Sequence, residues 1–356
     1  MPGDLQLHIN RYSALVRGQH YIDAQHRGLP FPFPVGLYLL LAPITLSGID
    51  IRNLFQIATG LFEASSVALY YILLTRISGS PRLGLIAAVL ATITAGGHMT
   101  SWFMFTSHVS TQWYQLLLML ILMIAWPRYQ RLIWWAIAML FVQVGMGHIG
   151  TFINMAVFGL LIIPLLWWHA GTPDERRAVR DLATAGLAAG TFVFACFYSF
   201  YLGQFVNQLL GIASVGMNEV TGRNPIPPET SLRVIWEGGL ITHFGFFPVL
   251  LAIPGAYLAA RRLPRSILLP LILATVLSSL SQAILPFITL SSITTRWLMF
   301  SAWVVAVAAA FACGALWRRG RAGRITVLAM GAYVASITLG IWLEAMALRK
   351  PPIEPF

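Results

Sequence analysis

Long apolar runs separated by short polar connections dominate the chain from residue 50 to residue 348. A hydrocarbon core about 30 Å thick is crossed by a helix of ~20 apolar residues, and most of these runs are close to that length. The pattern therefore predicts ten membrane-spanning helices. They are expected at residues 52–77, 82–97, 110–126, 132–149, 150–168, 182–206, 240–260, 266–288, 297–317 and 325–347.

The apolar stretch 33–48, FPVGLYLLLAPITLSG, is shorter than these runs. At ~1.5 Å per residue it would reach about 24 Å as a helix, and Pro34 and Pro43 interrupt it. We interpret it as a juxtamembrane helix at the outer interface, with residues 1–32 also outside. Two explanations stay open. Either 33–48 spans the membrane and the N-terminus is cytoplasmic, or a helix upstream of Met1 carries the segment across.

The predicted fold is therefore an all-α, polytopic transmembrane bundle in three parts. Residues 1–48 form an outer-face segment, and residues 49–348 form the bundle. A long outer loop at 207–239 interrupts the bundle, and residues 349–356 form a short outer tail. The loop is too long for a bare connection, and long loops often carry function.

The composition agrees with a membrane protein, since 58% of residues are hydrophobic and 10% are charged. Soluble domains carry about 25% charged residues. The net charge of +11 does not indicate a nucleic-acid partner, because the arginines occur in short clusters between apolar runs rather than on one face. Such clusters are typical of cytoplasmic loops. They contain Arg76 and Arg82; Arg128 and Arg131; Arg176, Arg177 and Arg180; Arg261, Arg262 and Arg265; and Arg318, Arg319, Arg321 and Arg324.

If every cluster is cytoplasmic, the alternate connections lie outside. These are 98–109, the turn at His148, 207–239 and 289–296, and ten helices alternate between the two sets without conflict. We expect a multi-pass protein of a bacterial plasma (inner) membrane. The two cysteines lie in apolar runs and offer neither a disulfide framework nor a metal-binding spacing.

The N-terminal 130 residues resemble the GT-C superfamily of integral-membrane glycosyltransferases, such as protein O-mannosyltransferases and aminoarabinose transferases. The order of features carries the resemblance: an acidic residue in GDLQLHINRYSALVRGQHY, a proline-led helix in PFPVGLYLLLAP (32–43), a link with Gly48 and Arg52, and a spanning helix. Asp4 occupies the family's acidic position. The family's first helix is absent, so we expect a truncated or mis-started chain.

The resemblance implies transfer of a sugar from a polyprenyl-phosphate donor to an acceptor hydroxyl at the outer face, with Asp4 as the base. His8, one helical turn after Asp4, is expected to orient Asp4 or to bind a metal with it, unless it is a surface histidine. The histidine spacing matches no metal motif, so no cofactor is assigned. Donor phosphate is expected at outer-side arginines, because guanidinium matches phosphate geometry. The candidate binding residues are Arg223, Arg233, Arg296, Glu219 and His243.

Glu63 lies in the middle of a predicted span, where an ionisable group is costly and usually faces the protein interior. It is expected to make a structural polar contact or to serve as a proton relay.

The alternative to a glycosyltransferase is a non-catalytic or transporter-like membrane subunit. An outward cavity joining Asp4 to the 207–239 loop favours the enzyme, and a two-sided pathway lined by Glu63 favours transport. Membrane lipids are partners in either case, and the oligomeric state stays open.

Overall fold

The computed structural model describes residues 3–18, 25–26, 29–30, 35–94, 106–126, 131–147, 149–215, 244–262, 267–289 and 301–348. This part of the chain is all-α apart from a hairpin of two-residue strands. The elements are α1 (Gly3–Val16), β1 (Gln25–His26), β2 (Leu29–Pro30), α2 (Gly36–Thr45), α3 (Ile51–Ser78), α4 (Pro81–Thr94), α5 (Thr106–Ala125), α6 (Arg131–Gly147), α7 (Ile149–His169), α8 (Pro173–Cys196), a 3₁₀ helix (Tyr198–Tyr201), α9 (Leu202–Val215), α10 (Phe246–Arg262), α11 (Leu268–Thr289), α12 (Ala302–Trp317) and α13 (Arg321–Leu348).

A helix lies at each predicted span, namely α3 to α8 and α10 to α13. Within the described residues, four helical segments are long and apolar enough to cross a membrane. They are Ile51–Ser78, Phe152–His169, Pro173–Cys196 and Arg321–Gly340. The prediction of an all-α fold is confirmed, and in the described part four of the ten predicted spans have the length and apolarity that a crossing requires.

Large apolar side chains on the outside of the bundle support a lipid environment. Leu160, Trp168 and Leu187 are 77%, 87% and 74% exposed, and similar residues occur on most of the other helices. A water-soluble surface would place polar side chains at such positions, since large exposed apolar patches mark sites that contact a partner or a membrane.

The predicted span 182–206 is wrong at both ends. Helix α8 begins earlier because Thr172 and Glu175 form a capping box: the Glu175 N–H donates to Thr172 Oγ1 over 3.2 Å, and Glu175 Oε2 accepts from the Thr172 N–H over 3.1 Å. The helix ends at Cys196, and the 3₁₀ helix follows. There the Tyr198 hydroxyl donates to the Gly145 carbonyl oxygen over 3.1 Å, which fixes this corner to α6.

The predicted outer loop 207–239 is also wrong over residues 207–215, which belong to α9. Leu202, Val206 and Leu210 are exposed and lie four residues apart, so they form one apolar stripe on this helix. The remainder of the predicted loop lies outside the described residues, as do the connection at 98–105, the turn at His148 and the tail at 349–356.

The helices pack into one bundle in which neighbours along the chain are mostly neighbours in space. Helix α3 packs against α4 and α5, and α6 contacts α5, α7 and α8; α12 contacts α4, α10 and α13, and α11 contacts α7. A close crossing joins α10 and α12. A Cβ atom on Gly255 would lie 1.8 Å from the Ala308 carbonyl oxygen, so this crossing requires glycine.

Among the described residues, the contacts place arginines from three of the clusters at one end of the bundle. Arg82, Arg262 and Arg318, from three separate clusters, line the same cleft. The first turn of α6 is adjacent to the first half of α8, because the Trp134 indole N–H donates to the Asp181 carbonyl oxygen over 2.8 Å. The end of α6 packs instead against α2, beside the start of α3. Since α3 rises about 42 Å over its 28 residues, the arginine end and α2 are far apart.

Candidate functional site

The first helix packs one face against α2 and α3. His8, Arg11 and Tyr12 are buried on this face, at exposures of 1%, 4% and 0%, and their spacing of three and four residues places them together. Tyr38 from α2 and Phe55 from α3 complete the contact and are buried as well. We refer to these five residues as the N-terminal cluster.

The Tyr12 hydroxyl connects α1 to α2. The Tyr12 hydroxyl donates to the Leu41 carbonyl oxygen over 3.0 Å and lies 2.9 Å from Thr45 Oγ1. The Thr45 hydroxyl in turn bonds to the Ala42 carbonyl oxygen. The Leu41 carbonyl lies within α2, and a carbonyl oxygen has two lone pairs. The Tyr12 hydroxyl therefore bonds to the lone pair of Leu41 that the helix does not use. Helix α1 is therefore held in a defined orientation.

A second polar connection runs from Arg11 through Tyr38 to His8. The Arg11 guanidinium hydrogen bonds to Tyr38, and the Tyr38 hydroxyl oxygen lies 2.5 Å from His8 Nδ1. Guanidinium can only donate, so the Tyr38 oxygen accepts from Arg11; its proton or its second lone pair makes the hydrogen bond with His8 Nδ1, according to the imidazole tautomer. In either tautomer the hydrogen bond holds the imidazole ring by Nδ1.

The buried position changes the chemistry of Tyr38. Burial raises the pKa of the Tyr38 hydroxyl above its ordinary value of 10.0, and the Arg11 charge and hydrogen bond only partly oppose this rise. Tyr38 is accordingly a neutral phenol at physiological pH. It hydrogen bonds to both Arg11 and His8, and it does not supply a negative charge.

Phe55 forms the apolar floor of the N-terminal cluster. Its ring meets the Tyr12 ring edge to face, with centroids 5.6 Å apart and an interplanar angle of 85°. The Tyr38 ring meets it similarly at 6.1 Å and 71°. These edge-to-face contacts connect the first turns of α3 to both preceding helices, and each pair contributes about 0.5–1.5 kcal/mol beyond its area burial.

The interpretation of His8 as a surface histidine is wrong, because the imidazole is buried and its Nδ1 is bonded to Tyr38. Asp4 lies in α1 one turn before His8, and its side chain is outside the described part. Glu63 likewise lies in α3 with its side chain outside that part. The predicted binding residues all lie outside the described residues: Arg223, Arg233, Arg296, Glu219 and His243.

The sequence did not single out Arg11, Tyr12, Tyr38 or Thr45 as members of this site. Two signals were available. His8, Arg11, Tyr12 and Leu15 repeat at helical spacing, and Tyr38, Leu41 and Thr45 repeat in the same way on the next helix. Polar residues repeating on the apolar-facing sides of two consecutive helices indicate a buried polar contact between them.

Metal ligands are not grouped in the described ranges, where no set of three or more His, Cys, Asp or Glu side chains comes together. The N-terminal cluster offers an oriented imidazole and a buried cation.

No protein-family model and no curated protein sequence matches this chain.

Proposed function

We propose that this protein is a membrane glycosyltransferase of the GT-C type, which transfers a sugar from a polyprenyl-phosphate donor to an acceptor hydroxyl at the outer face of a bacterial plasma membrane. The N-terminal cluster is the observation that carries the proposal. It holds α1 rigidly against α2 and α3, and so fixes the backbone of Asp4 one turn before an oriented His8.

The arrangement of α2 supports a site at the membrane surface. Its ten residues rise about 15 Å, half the thickness of the hydrocarbon core, so it does not cross as a helix. Leu37, Tyr38 and Leu41 pack on the protein, whereas Leu39 and Ile44 are exposed apolar residues. One side of α2 thus packs on the protein, and its exposed apolar side chains are suited to contact with lipid. We place α1, α2 and α9 at the outer interface.

The proposed topology has ten spanning helices, α3 to α8 and α10 to α13, with the arginine end in the cytoplasm. Several described helices are shorter than the ~20 residues of a typical span. The N-terminal cluster then lies at the outer end of α3. A donor lipid with its phosphate at that face would reach Asp4 without leaving the membrane.

In the proposed reaction the Asp4 carboxylate accepts the proton of the acceptor hydroxyl. The acceptor oxygen forms a bond to the anomeric carbon of the sugar, and the bond from that carbon to the polyprenyl-phosphate oxygen breaks. The polyprenyl phosphate leaves with its negative charge, which Arg223, Arg233 and Arg296 are proposed to bind. His8 acts as a positioning residue for Asp4, held by Tyr38.

The test is the Asp4→Asn variant in the natural full-length protein, reconstituted in vesicles with polyprenyl-phosphate hexoses and pentoses. Asparagine keeps the shape of aspartate and removes the proton acceptor, so sugar transfer should fall about 10²–10⁴-fold. Asp50→Asn is the matched control. Asp50 caps α3 by accepting from the Arg52 N–H, asparagine caps equally well, and transfer should stay unchanged.

Full activity of Asp4→Asn would show that another group is the base. If the wild type neither binds nor consumes any polyprenyl-phosphate sugar, the glycosyltransferase proposal fails, and the transporter-like or non-catalytic alternative replaces it. His8→Ala should lower transfer less than Asp4→Asn, because it loosens the base without removing it.

A further inference from the structure

A large apolar cleft lies between α4, α10, α12 and α13, remote from the N-terminal cluster. Its volume is about 1100 Å³, above the roughly 300–1,000 Å³ of pockets that hold compact small ligands. Leu83, Leu90, Leu251 and Phe311 contribute to its walls. A cleft of this kind suits long hydrocarbon chains better than a polar solute.

The dimensions of the cleft match one half of a bilayer. Arg82 and Ile93 both line it, and their separation along α4 corresponds to about 16 Å. One leaflet contributes about 15 Å of the ~30 Å hydrocarbon core. Leu85, Val89 and Leu328 line the cleft and are 59%, 50% and 61% exposed, so its side is open to the surrounding lipid.

One end of the cleft is strongly cationic. Arg82 from α4, Arg262 from α10 and Arg318 at the end of α12 all line it there. On this end of the bundle, the carboxylates in the described part are Asp174, Glu175 and Asp181. They belong to α8, which packs on α6 and α7 and makes no substantial contact with the four cleft helices. Three positive charges at the mouth of an apolar cleft complement an anionic headgroup.

We propose that this cleft is a binding site for an anionic diacyl phospholipid of the leaflet at the arginine end, with its phosphate at Arg82, Arg262 and Arg318 and its acyl chains along α4 and α13. A zwitterionic lipid would bring its own cation to the same arginines and bind less well. The site is independent of the proposed donor, whose phosphate acts at the opposite end of α3.

Trp317 provides a reporter, because it lines the cleft next to Arg318. The delipidated full-length protein is placed in phosphatidylcholine vesicles with increasing fractions of phosphatidylglycerol brominated on its acyl chains. The quenching assigned to Trp317 is the difference between the wild type and Trp317→Phe. Brominated phosphatidylglycerol should quench Trp317 at a mole fraction at least about tenfold lower than brominated phosphatidylcholine.

Two sets of variants test the two parts of the site. Arg82→Gln/Arg262→Gln/Arg318→Gln should remove the preference for phosphatidylglycerol, whereas the matched set Arg176→Gln/Arg177→Gln/Arg180→Gln on α8 loses the same charge and should keep it. Gly331→Phe should fill the cleft, since Gly331 lines it and a Cβ there meets no atom within 4 Å. Gly340→Phe on the same helix is equally unobstructed, is not among the cleft residues, and should leave quenching unchanged.

Equal quenching by the two brominated lipids, or an equal effect of the two arginine sets, would overturn the proposal. Displacement of the brominated lipid by polyprenyl phosphate at lower mole fraction than by phosphatidylglycerol would assign the cleft to the donor chain instead. Should the arginine variant fail to fold, the preference of the wild type and the Gly331/Gly340 pair decide the question.

Discussion

At the scale of single residues, the Tyr38 hydroxyl links the other two polar side chains of its hydrogen-bond chain, Arg11 and His8. Its oxygen accepts from Arg11 and is hydrogen bonded to His8 Nδ1, so one oxygen serves a buried cation and a buried imidazole. Buried polar groups that lose a partner incur their full desolvation penalty. The identity of this side chain therefore affects both folding and the orientation of His8.

Tyr38→Phe should destabilise the protein by about 1–3 kcal/mol, because the ring still fills its place while Arg11 and His8 each lose a partner. The measurement is unfolding in detergent, followed by circular dichroism. Tyr71→Phe is the control, since Tyr71 is 38% exposed on α3, and its effect should stay within about 0.5 kcal/mol. Equal stability of the Tyr38 and Tyr71 variants would contradict the hydrogen-bond chain.

The raised pKa of Tyr38 also predicts a pH dependence. The folded state holds the Tyr38 proton more tightly than the unfolded state, whose pKa is about 10.0. The stabilisation is therefore fully present below pH 10 and is lost as the pH rises above it. The stability difference between the wild type and Tyr38→Phe should be constant from pH 7 to 9 and narrow above pH 10. A difference that narrowed below pH 9 would contradict this assignment.

At the scale of elements, the crossing of α10 and α12 sets the distance between two of the helices that line the cleft. Gly255 brings its backbone against the Ala308 carbonyl, and Ala312 lies next to the same contact. In lipid, helix association relies on such close packing rather than on a hydrophobic driving force. This crossing therefore contributes to stability and to the shape of the cleft.

Gly255→Ala should destabilise the fold by about 1–3 kcal/mol or more, because the added methyl group meets a backbone atom that cannot rotate away. Gly190→Ala on α8 is the matched control. No atom lies within 4 Å of a Cβ there, so alanine should stabilise the helix by about 0.5–1 kcal/mol. Opposite signs in thermal unfolding are the expected result, and two equal shifts would mean that the crossing is not tight.

At the scale of the whole molecule, the arginine clusters and the N-terminal cluster define two opposite ends. We expect the arginine end to face the cytoplasm. With Cys196 and Cys313 replaced, Pro225→Cys should react with a membrane-impermeant maleimide added to intact cells, and Arg177→Cys should react only after the membrane is opened. Labelling of position 177 but not 225 from outside would reverse the topology and move the proposed site to the cytoplasm.

Periodicity and charge alone established the all-α fold and most helix positions. Apolar runs need helices in lipid, because every backbone polar group must be satisfied within the segment. The local sequence also contained the start of α8, in the capping box of Thr172 and Glu175 that the span prediction overlooked. The position of a helix along the chain is a local property, and such signals are local.

Only the tertiary structure determined which side chains from different helices contact one another. Residues 8 and 38 are separated by 30 positions, so the repeats along α1 and α2 indicate a buried polar contact but do not predict that His8 pairs with Tyr38 or that Arg11 lies beside it. The same holds for Arg82, Arg262 and Arg318, which the sequence placed on one side of the membrane but not in one cleft. Contacts of this kind depend on how helices rotate and cross, and close packing between distant side chains determines both.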